Sequence, residues 1–197
     1  GIVDAIDGSI AIAGSSNTII DNKIDTISPS IRLGLADSNI IARNHVTGGL
    51  SIVSGSNNLV FANNLTSIRI FVGSNNTFFG NNIADDKPSL ELDQWAVNNT
   101  FYANTFPANC SIRNNDAGTT FWDNGTIGNY WADYNGTDRN GDGIGDSPFI
   151  ITAVKWDNEA RGDVGFVAGQ DNYPLMKPYD VERNSVVLPA AEAFPTM

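Results

Sequence analysis

"NTIIDNKI", residues 17–24, is one of six variants of a single phrase. It returns as "NIIARNHV" from Asn39, "NLVFANNL" from Asn58, "NTFFGNNI" from Asn76 and "NTFYANTF" from Asn99, and a degenerate copy, "TTFWDNGT", begins at Thr119. Successive copies start 22, 19, 18, 23 and 20 residues apart. Each has Asn or Thr at its head, an apolar residue two later and a second Asn five later; the first five add an apolar residue seven later. The second-Asn column reads Asn22, Asn44, Asn63, Asn81, Asn104, Asn124, and the first apolar column reads Ile19, Ile41, Val60, Phe78, Phe101, Phe121. Between copies lie alternating segments: "SIAIAG" (9–14), "IRLGLA" (31–36), "LSIVSG" (50–55), "SIRIFVG" (67–73) and "LELDQWAV" (90–97). Alternation of this kind reads as strand, and the Gly, Ser and Asn clusters between runs read as turns. The three-to-four spacing of a helix is absent throughout.

Two or three short strands per ~20-residue coil, repeated six times, is the signature of an all-β parallel solenoid. One coil cannot bury its inward residues, but stacked coils bury continuous columns of Ile, Val and Phe. Asn suits the bends because it tolerates left-handed backbone and its amide bonds nearby backbone groups. In a stack each amide also meets the Asn of the next coil, so the 25 asparagines read first as structure rather than recognition.

Hydrophobic residues make up 41% of the 197, enough for a core. Lys and Arg number 11 against 22 Asp and Glu, a formal charge of −11 that argues against nucleic acid and anionic membrane surfaces as partners. No apolar run approaches the ~18 residues that span a bilayer. Cys110 is the sole cysteine, read as a small buried hydrophobe with pairing between chains left open. The chain opens on Gly1 rather than Met, which reads as a processed product or a fragment.

The coils over residues 9–125 resemble the right-handed parallel β-helix repeats of NosD-like proteins, the carbohydrate-binding and sugar hydrolysis domains. The stretch "WDNGTIGNYWADYNGTDRNGDGIGDSPF" (122–149) and then "DNYPLM" (171–176) resemble the terminal module of β-helix surface proteins of methanogenic archaea. The resemblance implies an exported, cell-surface right-handed β-helix and little about chemistry. NosD's copper-related role is not expected here, since one His, one Cys and two Met make a poor soft-ligand set. The division expected is coils over 1–121, a cap module over 122–176 and an extended tail over 177–197.

Within the module, "DRNGDGIGD" has the spacing of a calcium loop: Asp138, Asn140 and Asp142 on alternate residues, a turn at Gly143, the Ile144 carbonyl, then Asp146. The twelfth position, usually Glu, is Phe149, so Asp133, Asp171 or a water would complete a Ca²⁺ site. No helical pattern flanks the loop, which removes a sensor's opening motion. Trp122, Tyr130, Trp131, Tyr134, Trp156 and Tyr173 gather around it. They cap the solenoid's exposed core section or, on the alternative reading, stack on sugar rings.

Catalysis on polysaccharide needs convergent carboxylates. The column before the second Asn is acidic only at its ends, Asp21 and Asp123, and the central cluster Asp85, Asp86, Glu91 and Asp93 reads as a solvated insert. His45 reads as surface. Six sequons, at Asn64, Asn75, Asn98, Asn109, Asn124 and Asn135, permit N-glycosylation, with Asn98 and Asn109 nearest turns. The N-terminal "GIVDAIDGSIAIAG" reads as an uncovered strand edge, open to head-to-tail stacking on another copy, and the tail's Val186, Val187 and Leu188 as a strand to add to a neighbour. The expected function is therefore an extracellular structural protein of an envelope, sheath or filament. The alternatives are a carbohydrate-binding module for cell-surface glycans and, behind it, a polysaccharide lyase or hydrolase.

Overall fold

The computed structural model describes residues 8–26, 29–84, 89–115 and 119–181, and the backbone of residues 2–6. Its described elements are strands. β1 (Ile2–Ile6) folds back antiparallel on β2 (Ser9–Ala13), and β3 (Thr18–Ile20) and β4 (Lys23–Ile24) complete the first turn. The second turn is β5 (Ile31–Gly34), β6 (Ile40–Ala42) and β7 (His45–Val46); the third is β8 (Leu50–Ser54), β9 (Leu59–Phe61) and β10 (Asn64–Leu65). The fourth is β11 (Ile68–Ser74), β12 (Thr77–Phe79) and β13 (Asn82–Ile83); the fifth is β14 (Leu90–Val97), β15 (Thr100–Tyr102) and β16 (Thr105–Phe106). A sixth turn is degenerate. It has β17 (Ile112–Asn114) and β18 (Tyr130–Trp131), but its middle strand is reduced to one bridge between Thr100 and Phe121. The antiparallel hairpin β19 (Phe149–Asp157) and β20 (Gly162–Asp171) closes this end.

Three sheets result. The first runs β1-β2-β5-β8-β11-β14-β17-β19-β20, the second β3-β6-β9-β12-β15 and the third β4-β7-β10-β13-β16-β18. Between successive turns all pairing is parallel, giving a solenoid of about five turns, in line with five strong copies and a degenerate sixth. Within the N-terminal stretch β1 pairs along the whole of β2, and β1 itself is the terminal strand of the first sheet, with no further strand beside it among the described residues.

The repeated phrase builds this shape through its backbone. The residue before every head asparagine is left-handed: Ser16, Ser38, Asn57, Asn75 and Asn98, with φ between 54° and 61°. So is the residue before the second asparagine: Asp21, Arg43, Ala62, Gly80 and Ala103, φ 53° to 61°. Left-handed backbone costs a non-glycine residue roughly 1–2 kcal/mol, and here the adjacent asparagine offsets it. Asn63 shows how: its backbone N–H and Nδ2 both donate to Asn81 Oδ1 at 3.0 Å, while its own Oδ1 accepts the same pair from Asn44. The core follows by alternation. Ile19, Ile41, Val60, Phe78 and Phe101 point inward from the second sheet, in register from turn to turn. Phe78 stacks on Phe101 with centroids 4.6 Å apart.

Candidate functional site

The most elaborate polar arrangement lies at the capped end. The second asparagine ladder runs Asn22, Asn44, Asn63, Asn81, Asn104 and then Asn129, not Asn124. Asn124 is exposed and holds its own turn, its Oδ1 accepting from Thr126 and Ile127. The column at Asn129 was legible: every second asparagine is followed two residues later by a buried apolar side chain, and Asn129 has Trp131 where Asn124 has Thr126. Asp171 then terminates the ladder. Fully buried, it accepts from Asn129 N at 2.6 Å and Trp131 Nε1 at 2.8 Å through Oδ2, and from Tyr173 N at 3.0 Å through Oδ1. Burial pushes its carboxyl above the usual range, and these donors pull the other way. Gly128 has no side chain because a Cβ there would lie 1.7 Å from Asp171 Oδ1.

The aromatic residues divide. Trp122 and Trp131 are 2% and 3% exposed and belong to the core, Trp131 stacked between Phe106 at 4.4 Å and Phe149 at 4.8 Å. Neither presents a face to a sugar. Tyr130, Tyr134 and Tyr173 are half-buried, and Tyr134 donates from its hydroxyl to the Ser147 carbonyl. Trp156 alone of the expected set is well exposed. Trp95, which the sequence reading passed over inside an alternating strand, is 62% exposed beside its register partner Val72. Together with Asp37, Ser54, Ser56 and Ser74 they line an open groove of about 430 Å³ at the corner of the first and second sheets. The only available sequence signal was the register of β14, where an odd tryptophan falls on the outward side.

In the 138–146 loop the carboxylates hold the loop's own backbone. Asp138 accepts from Gly141 N and Gly143 N, Asp142 from Ile144 N and Asn140 Nδ2, and Asp146 from Arg139 N and Thr137 Oγ1. The two expected supplementary ligands serve elsewhere: Asp133 accepts from Asn109 N at 2.6 Å and Asp171 ends the ladder. All six sequon asparagines are exposed, and Asn75, Asn98 and Asn109 sit at left-handed bends. Glu91 pairs with Arg69, and Asp93 accepts from Gln94 N. Asp85 and Asp86 lie outside the described residues, as do Val186, Val187 and Leu188. His45 is exposed on β7, and Cys110 is half-buried against the core. No described helix is long and apolar enough to cross a membrane.

Among protein-family models, the one described as periplasmic copper-binding protein (NosD) matches residues 2–136. No curated protein and no solved structure matches the chain. The calcium expectation is corrected by these findings. The family description points to copper rather than Ca²⁺, and among the described residues no group of three or more His, Cys, Asp and Glu could hold a metal ion. The physical reason is visible in the loop, whose carboxylates are aimed at backbone N–H groups. Copper fits the described residues no better. It favours thiolate, thioether and imidazole, and His45 on β7 stands three strands of the third sheet from β16, just beyond which Cys110 lies. That is about 14 Å at ~4.8 Å per strand.

Proposed function

The chain belongs to the NosD family of β-helix proteins that act outside the cytoplasm, in the periplasm or at the cell surface, and from that footing we propose a structural, non-enzymatic role as a subunit of an envelope, sheath or filament. The observation that carries it is the asparagine ladder, buried from Asn44 to Asn129 and closed on Asp171. The polar interior is committed to stiffness along one axis, which suits a rod. The closed end and the other end differ, so copies would associate through the outer edges of β3 and β4, which pair with no further strand among the described residues. Six exposed sequons are compatible with a glycosylated surface protein. Negative-stain microscopy of the protein from native envelope preparations tests this: ordered polymers or sheets are expected, and monodisperse monomers at every concentration would refute assembly.

A second reading, carbohydrate binding, is supported by Trp95. An exposed indole flanked by three serine hydroxyls and a carboxylate is the equipment for stacking on a sugar ring and bonding its hydroxyls. Ser56 Oγ and Ser74 Oγ are 3.2 Å apart, and Asp37 Oδ1 accepts from Ser56 N, so the rim is pre-ordered. A glycan array followed by Trp95→Ala decides it: binding should fall at least tenfold with an unchanged melting temperature. Binding that survives the substitution removes this reading.

A further inference from the structure

The groove beside Trp95 is made by the repeat itself, so its walls are columns that run parallel to the solenoid axis. Trp95 and Val72 are register partners on β14 and β11 and form one wall, 62% and 45% exposed. Asp37, Ser56, Ser74 and Val97 form the other, one on each turn from the second to the fifth. Backbone bonds fix that order: Ser38 N donates to Ser56 O, Asn57 N donates to Ser74 O, and Ser74 pairs in register with Val97. Between the walls lie Gly55 and Gly73, whose missing side chains the stack demands, since a Cβ on either would run into the carbonyl oxygen of the turn before. The rungs recur every ~4.8 Å, close to the length that one pyranose residue adds to an extended β-linked chain. Three such steps, about 14 Å, separate Asp37 from Val97.

The polar wall is equipped for hydroxyls and set against anions. Ser74 N donates to Ser56 Oγ at 3.1 Å and the two hydroxyls lie 3.2 Å apart, so one hydroxyl proton is spent between them and the other is left to donate outward. Asp37 Oδ1 accepts from Ser56 N at 2.7 Å, and its Oδ2 accepts from no described residue. The wall thus offers a donor and a carboxylate acceptor to a row of sugar hydroxyls. Among the described residues no Lys or Arg lines the groove, and Asp37 is its one charged side chain. In a protein of formal charge −11, a chain of uronate or sulfate groups is repelled there. An extended peptide fits less well, because Gly55 N on the floor is already spent on Val72 O. Resting on the carbohydrate reading above, we propose that the occupant is an uncharged, extended glycan chain lying parallel to the solenoid axis. One ring stacks on Trp95 at the fifth turn, and rings further along bond Ser56 and Asp37 at the third and second. A single sugar reaches one end of this site only.

Calorimetry on the full chain tests it, with β-1,4-linked oligomers of glucose, mannose and N-acetylglucosamine from the single sugar to the hexamer. Mannuronate oligomers of the same linkage and lengths are the charged counterparts of the mannose series. In at least one neutral series affinity should rise roughly tenfold from the single sugar to the tetramer and level off beyond it, where the walls end. The mannuronates should bind weakest. Asp37→Asn keeps an Oδ1 for Ser56 N and removes the charge, so it should narrow the gap between mannuronate and mannose oligomers roughly threefold. A single sugar that binds as tightly as the tetramer overturns the proposal, as do mannuronates that bind more tightly than neutral chains or a gap that Asp37→Asn leaves unchanged. In those cases the carbohydrate reading stands, provided that Trp95→Ala abolishes the binding seen. No binding by any neutral oligomer also overturns the proposal, and only a glycan array equally blank removes the carbohydrate reading with it.

Discussion

Replacing Asn63 with alanine removes the middle of a buried ladder and isolates what that ladder contributes. The side chain is 2% exposed and makes bonds in both directions. Its Oδ1 accepts from Asn44 N at 2.9 Å and Asn44 Nδ2 at 3.0 Å, and its Nδ2 reaches Ile41 O at 2.8 Å and Asn81 Oδ1 at 3.0 Å. Some partners are rescued after truncation. Asn44 Nδ2 keeps Ile19 O, and Asn81 Oδ1 keeps the backbone N–H of residue 63. The buried Asn44 N–H is orphaned, at about 1–3 kcal/mol, and the bonds of the two Nδ2 hydrogens, which Phe61 O at 2.9 Å shares with Ile41 O and Asn81 Oδ1, are lost at about 0.5–1.5 kcal/mol per hydrogen. The total is about 2–6 kcal/mol, which in a chain of this size lowers Tm by roughly 4–24 °C at about 2–4 °C per kcal/mol. Two controls sharpen the test. Asn64→Ala alters the neighbouring exposed residue, and Asn22→Ala removes the first ladder residue, whose side chain is exposed; each should stay within about 1 kcal/mol. Urea midpoints of the three variants, measured side by side, give the answer. If Asn63→Ala costs no more than Asn64→Ala, the ladder is not what stabilises the bends.

Trp131→Phe and Trp122→Phe remove comparable volume from the same cap, but only Trp131 donates to Asp171, whereas Trp122 Nε1 has no partner. Thermal melts should show Trp131→Phe the more destabilising by about 1.5–3 kcal/mol, the worth of a bond to a charged group. The pH dependence has a definite sign. Asp171's folded carboxyl titrates above its ordinary 3.8, so the native state holds the proton more tightly. Its contribution is fully present below about 3.8 and is lost as pH rises through the raised folded value. Asp171→Asn should therefore flatten that limb in denaturant titrations across acidic pH, and an unchanged difference profile would refute the assignment. Gly128→Ala forces a methyl into Asp171 and should abolish the near-UV circular dichroism of the cap tryptophans.

Much of the fold was legible because a stacked coil leaves a periodic trace. The asparagine heads and the apolar columns of the five strong copies correspond to observed turns, but in the degenerate sixth Phe121 is 47% exposed and Trp122 takes the inward place on Phe101. What was misread in the sequence, or left open by it, was whatever depends on how irregular segments return to the stack. Asn129 follows an insertion relative to the earlier spacing, so the fixed interval of five pointed to Asn124. Trp122 and Trp131 sit in a run rich in Gly, Asn and Asp that left two readings open, a cap on the core or a platform for sugars, and packing against Phe101, Phe106 and Phe149 draws them inside. The acidic loop has calcium-like spacing because the same alternation also suits turns in which a carboxylate accepts from backbone N–H groups two or more residues on. Trp95 was hidden by the opposite effect, a strand whose alternation is regular enough to pass as ordinary.

The direction of the ladder explains why the two ends of this solenoid are chemically different. Each asparagine donates toward the C-terminal turn and accepts from the N-terminal one, as between Asn44, Asn63 and Asn81. A stack with that polarity must end, on its C-terminal side, in a group that accepts without needing to donate onward. A further asparagine would leave its own Nδ2 searching for an acceptor against the Tyr173 N–H, whereas a carboxylate satisfies donors on both oxygens. Asp171 is that group, and its burial, otherwise unfavourable for an acid, follows from the place it must occupy. The residue that resembled a spare metal ligand is thus the one the repeat itself requires, since only an acceptor can close a ladder of donors.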